Sequence, residues 1–205
     1  MPFIKRETAG QADAATAAAE APQLAALQDS DPDVRWSAAR KLGGVAAAVP
    51  ALAHALKVEQ NPRVREAVMT ALMRVGDEAS VRVLLPYLHS QDAAQRSAAI
   101  EALQALPDVV SPFMTALLDD ADSDVRILAT ELVRNMPAGE ATRVLGDLLE
   151  RELQPNVCAA AVDVLAEVGT PEALPALRAC AERFRDTPFL PFAIATAVAR
   201  ISSAG

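Results

Sequence analysis

His54 and His89 are the only imidazoles in this 205-residue sequence, and Cys158 and Cys180 are its only thiols. General acid–base work needs a titrating group held beside the atom it serves, and a metal site needs several ligands at helical or loop spacing. Neither histidine has such company. His54 stands in ALAHALK, His89 ends the run YLH, and no HExxH, CxxC or CxxxH pattern occurs. A GxSxG elbow for a nucleophilic serine is also missing, and Gly43 and Gly44 end a helical pattern where a phosphate-binding loop would follow a strand. The two cysteines lie in apolar helical runs and are expected to be reduced and buried. The expectation is a chain that is not an enzyme and carries no metal or cofactor, so that its chemistry is the chemistry of binding.

The elements that must carry such a surface are helices. Alanine is abundant and aromatic residues make up only 3%, which favours close helix packing over sheets, and 52% hydrophobic composition supplies a continuous core. The formal net charge of -8 argues against general nucleic-acid binding. That acidity is uneven: 11 Lys and Arg face 12 Asp and Glu through residue 105, against 8 and 15 beyond it. With no signal-peptide pattern after Lys5 and Arg6 and no uninterrupted apolar run long enough for a membrane span, a cytoplasmic protein is expected.

An internal repeat organises the chain. DPDVRWSAARKLGGV, NPRVREAVMTALMRVGD, DAAQRSAAIEALQALPD, DSDVRILATELVRNMPAG and PNVCAAAVDVLAEVG align Arg35, Arg65, Arg96, Arg126 and Cys158 in one column, with separations of 30, 31, 30 and 32 residues. Apolar residues recur at helical spacing in each, as Val34, Ala38, Leu42 and Val45 do in the first, and polar caps precede most of them. Between these B helices lie shorter apolar A helices, so each unit reads as a helical hairpin. Pro86 falls late in its A helix and should kink or shorten it. The expected fold is all-α, a right-handed solenoid of about six hairpins over residues 21–205, preceded by a mobile tail over 1–20 in which Phe3 and Ile4 adjoin Lys5 and Arg6.

VRWSAARKLGGV and VREAVMTALMRVG resemble the VRxxAxxALGxxG pattern of HEAT-like repeats, best known from phycobilin lyases and many bacterial scaffold proteins; the last unit, TPFLPFAIATAVARI, lacks the Val-Arg pair and reads as a terminal cap. The resemblance implies a ladder in which an acid six positions before each B-helix arginine pairs with it: Asp29 with Arg35, Glu59 with Arg65, and Asp120 with Arg126. Ser90 and Cys158 interrupt that pattern. The resemblance to deoxyhypusine hydroxylases does not extend to their paired His-Glu iron ligands, because His54 precedes Ala55 and His89 precedes Ser90.

On each B helix, positions four apart on the side opposite the core form an exposed stripe, which in HEAT-like solenoids lines the concave face. The stripe starts with Trp36, Arg40, neighbouring Lys41 and Arg74, and continues through Glu101, Ile127, Glu131, Asp163 and Glu167. It is expected to be electrically polarised and to hold a protein partner or peptide segment, in a scaffold or adaptor. The family resemblance alone suggests a phycobilin-lyase-like, chromophore-handling alternative; a DNA-base repair protein, faintly suggested by Trp36 beside Arg40 and Lys41, sits poorly with an acidic chain.

Overall fold

The computed structural model describes residues 20–204. The expected tail lies outside the described residues except for Glu20, which is helical. Every regular element among the described residues is a helix, and the fold is an α-solenoid of hairpins. The chain divides between Leu85 and Pro86 into two compact units.

Unit 1 contains α1 (20–26), α2 (Pro32–Lys41), α3 (Val49–Val58), α4 (Pro62–Val75) and α5 (Glu78–Leu84). The starts of α2, α4 and α5 are fixed by Asp31, Asn61 and Asp77, whose side chains accept first-turn N–H groups, and Pro32 and Pro62 occupy a first turn that has no need of their missing donor. Gly76 ends α4 in the left-handed conformation, φ 65°, that a side chain disfavours. The B helices α2 and α4 lie side by side, while the A helix α3 packs on α4 and α5. Leu42, Leu52, Leu72 and Leu84 form the sealed centre. Val34, expected in that core, is 38% exposed, whereas its counterparts Val64, Val125 and Val157 are buried. Among the described residues α2 packs on one B helix, so its first turn has an open side.

After Leu84 the chain tightens into a 3₁₀ turn over Leu85–His89, where Pro86 has no N–H to extend the α-helical ladder.

Unit 2 contains α6 (Ala93–Gln104), α7 (Pro107–Val110), α8 (Met114–Leu118), α9 (Ser123–Val133), α10 (Ala138–Arg151), α11 (Pro155–Val168), α12 (Leu174–Arg183) and α13 (Leu190–Ala204). Its first A segment starts earlier than SPFMTALLDD suggests and is broken, α7 reaching α8 through a 3₁₀ turn at Ser111–Phe113 that contains Pro112. The B helices follow one another as neighbours, α6 with α9 and α9 with α11, while α10 lies against α8 and α12. The last helix, α13, packs on α11 and α12 and buries Leu190, Ile194, Ala197 and Ile201, yet leaves Phe192 78% exposed where a polar cap would carry hydrophilic side chains.

Successive hairpins are tied by arginine–glutamate junctions whose partners differ from those the ladder implied. Arg35 donates from Nε and Nη2 to the two carboxylate oxygens of Glu59 at 2.7 and 3.0 Å, and Arg126 does the same to Glu152 at 2.7 and 3.1 Å. Each glutamate ends the following A helix, 24 or 26 residues ahead. The acids six positions back are occupied elsewhere: Asp29 and Asp120 accept the N–H of Asp31 and Asp122 in their own turns, and only their backbone carbonyls receive the arginine Nη1, both at 2.8 Å. Glu59 and Glu152 also accept the next two backbone N–H groups, at Gln60 and Asn61 and at Leu153 and Gln154. The Arg35 guanidinium holds the Glu59 carboxyl below the usual carboxylate range; at Glu152 burial pushes upward, but Arg126 and the two N–H donors outweigh it.

Between these junctions the pattern fails where the acid is shorter. Arg96 reaches the Ser90 carbonyl at 2.5 Å, and Asp120, one methylene shorter than glutamate, meets His89 Nε2 at 3.0 Å instead.

Candidate functional site

The residues of the expected stripe divide between the units, and none of them is fully buried. In unit 1, Trp36 and Arg40 sit one turn apart on α2, facing Arg63, Glu66, Thr70 and Arg74 along α4. Together with the small side chains of Ala67 and Ala71 they enclose an open cavity of about 400 Å³. Two guanidiniums stack on the indole: the Arg63 carbon lies 4.2 Å and the Arg40 carbon 4.7 Å from the ring centroid. Arg63 also pairs with exposed Asp33 at 2.7 Å. Arg40 and Arg74 make no ion pair with any described residue, and Glu66, the one acid in the lining, makes none either. Three arginines against one glutamate leave the cavity positive.

The end of α2 helps to build this cavity. A Cβ at Gly43 would meet Arg74 Cδ at 2.9 Å, while Ala71 Cα at 3.6 Å is at ordinary contact distance, so the glycine leaves room for the stem of Arg74 beside α2. Lys41 is exposed at the end of α2 but does not line the cavity.

The acidic part of the stripe lies in unit 2, and its centre is an arginine that the stripe did not include. Arg134, in the turn after α9, meets Glu131 at 3.2 Å, Asp163 at 3.0 Å and Glu167. These three carboxylates, with Glu167 the strongest contributor, raise the pKa of the already basic guanidinium. The carboxylates outnumber the guanidinium three to one, so the face between α9 and α11 keeps a net negative charge even though Arg134 bridges its acids. Glu101 stands apart on α6, exposed, and Ile127 is half-buried on α9. Arg63 and Arg134 had a sequence signal: Asp33 lies 30 residues before Arg63 and Asp163 lies 29 after Arg134, close to one repeat, which places them on adjacent B helices.

His54 is exposed on α3, in a second hollow that includes Leu24, Leu27, Arg35 and Glu59. Cys158 and Cys180 are unbonded and sealed from solvent. The Cys158 thiol takes the place of the junction arginine, contacting the Glu152 carbonyl at 3.7 Å, and hydrogen bonding to Cys180 together with burial pushes its pKa up. Arg183, from the next A helix, donates to the Leu149 and Glu150 carbonyls at the end of α10. Among the described residues no group of His, Cys, Asp and Glu is placed to hold a metal ion, and no helix is long and apolar enough to cross a membrane.

Known proteins resemble this arrangement at several levels. The HEAT repeats family matches residues 20–104 and 110–188. The bilin biosynthesis protein PecE of Nostoc sp. (strain PCC 7120 / SAG 25.82 / UTEX 2576) is 44% identical over 75 residues, covering 36% of this chain and 30% of PecE. PecE of Mastigocladus laminosus is also 44% identical over 75 residues, covering 36% and 28%. The chain thus spans less than a third of the curated relatives it matches. Among solved structures, the archaeal HEAT-like repeats protein from Thermococcus onnurineus NA1 is similar with a TM-score of 0.52 at 17% identity, over 94% of this chain and 92% of that one.

The PecE matches overturn the expectation that the chain is not an enzyme, because those relatives are proteins of bilin biosynthesis. That expectation equated chemistry with a histidine, cysteine or metal constellation, whereas a protein also advances a reaction by capturing and orienting reactants whose own groups react. A thirty-residue recurrence, stacked hairpins with repeated junctions, and a family match over most of the sequence agree: the chain belongs to the HEAT-repeat family.

Proposed function

We propose that this chain is a phycobilin-lyase-like protein, which captures an open-chain tetrapyrrole and presents it to a protein partner. The observation that supports this reading best is the 75-residue segment 44% identical to PecE. What the chain's own residues contribute is capture and orientation: Trp36, Arg40 and Arg74 on the B-helix face of unit 1 take the chromophore. The face of unit 2, with Glu101, Ile127, Glu131, Asp163 and Glu167, takes the protein. A planar conjugated ligand gains dispersion and stacking on the indole of Trp36, and acidic side chains on the second face set the orientation of a basic partner more than its affinity.

Incubation with biliverdin followed by absorption and fluorescence spectroscopy tests the reading. A bilin held rigidly gives a red-shifted, sharpened band and gains emission; a spectrum identical to that of free biliverdin rejects it. Pull-down with wild type and Glu131→Lys tests the assigned protein face, and unchanged recovery of the same partner would remove it.

A further inference from the structure

We infer that the unit 1 cavity between α2 and α4 is a receptor for a planar conjugated carboxylate, with the ring system on Trp36 and the carboxylate held by Arg40 and Arg74. The identity of the natural ligand as a bilin rests on the function proposed above; the chemistry of the cavity does not.

The cavity gathers Arg40, Arg63 and Arg74 around one indole. Stacking on tryptophan attracts each cation, while neighbouring guanidiniums repel one another. Arg63 has a carboxylate in Asp33, but Arg40 and Arg74 have none among the described residues. An anion entering between them relieves that repulsion and finds forked donors matched to two oxygens in a plane.

Two features select the rest of the ligand. Trp36 is the sole aromatic residue in the lining and is half-buried, while Ala67 and Ala71 are short, so a flat ring system that displaces a stacked guanidinium finds an aromatic face to lie on. Glu66, free of any ion pair, offers an acceptor to ring N–H groups. The lining runs along helix flanks whose backbone N–H groups are already engaged, and it includes no cradle of N–H groups at a helix start such as phosphate sites commonly use. Glu66 in the lining opposes a doubly charged phosphate more than a singly charged carboxylate, which favours the carboxylate.

Trp36 is the only tryptophan in the sequence, so its emission reports the cavity directly. The full chain is titrated with 1-pyrenebutyrate, its methyl ester, biliverdin, biliverdin dimethyl ester and AMP. The Arg40→Gln/Arg74→Gln double variant, checked for an unchanged melting temperature, is titrated alongside. Saturable quenching by both free acids, weakened about tenfold or more by esterification and by the double substitution, is the expected result. Quenching of this kind by pyrenebutyrate without any biliverdin binding upholds the receptor and rejects the bilin reading. Biliverdin binding that ignores both esterification and the arginines does the reverse. The proposal is overturned if AMP is preferred to the carboxylates, or if no carboxylate quenches Trp36.

Discussion

The two units share one repeat and one kind of junction, yet their B-helix faces are built on opposite electrical plans. Arg35 with Glu59 in unit 1 and Arg126 with Glu152 in unit 2 agree in atoms and nearly in distance. The faces diverge: three arginines crowd a tryptophan in unit 1, whereas three carboxylates converge on Arg134 in unit 2. The lesson is that charge at the junctions is fixed by the way hairpins join, while charge on the stripe is free to specialise. One face keeps an excess of guanidiniums, and the other keeps an excess of carboxylates bridged by Arg134.

The junctions should give the largest effects. Glu59→Ala and Glu152→Ala each remove a buried bidentate partner and leave a half-buried guanidinium behind, and each is expected to cost about 2–4 kcal/mol in chemical denaturation. Similar losses in the two units would sharpen the equivalence; a large loss at one glutamate and a negligible one at the other would break it. Arg134→Met comes next, at about 1 kcal/mol, because its three partners are partly exposed and screened. Its cost should shrink between low and high salt, and a salt-independent loss would argue that the arginine acts by packing.

Acid titration separates the junctions from the stripe. Glu59 and Glu152 are held below their ordinary pKa of 4.5, so the unfolded chain takes up their protons first as pH falls. The stability they supply is complete well above pH 4.5, declines below it, and is lost once the pH passes through their folded values. Glu59→Gln/Glu152→Gln should therefore show a flatter acid limb than wild type in denaturation followed from pH 7 to pH 3, by about 1 kcal/mol or more. Parallel limbs would show that these carboxylates do not govern it. Asp33→Asn should be the smallest perturbation, within about 0.5 kcal/mol in thermal unfolding, since both members of its pair with Arg63 are largely exposed. A larger loss would mean that this pair helps hold α2 to α4.

The hairpins were legible because each B helix carries its own cap, apolar face and terminator within a short window, and Pro86 announces the shortened α5 by chemistry local to one peptide bond. The stripe could be drawn from helical spacing alone, and its residues do lie off the core. The junction partners differ from the implied ladder because that ladder pairs each arginine with the acid six positions before it in its own turn. Asp29 and Asp120 are drawn into their own turns, and the partner arrives from the next A helix. Arg134 escaped the stripe because it stands three residues from Glu131, off the four-residue spacing that defined the exposed row, and its reach into α11 is a matter of neighbouring helices. Whether an exposed charge has a partner is decided between repeats, and periodicity within one repeat carries no information about it.

Cys158 replaces the guanidinium at one junction with an uncharged sulfur, and both it and Cys180 are sealed from solvent where α11 and α12 pack on α10. An alkylating reagent can reach either sulfur only while those helices stand apart. The speed at which a maleimide consumes them is therefore a clock for the breathing of unit 2, readable in the native protein without denaturant and in the presence or absence of anything bound elsewhere on the chain.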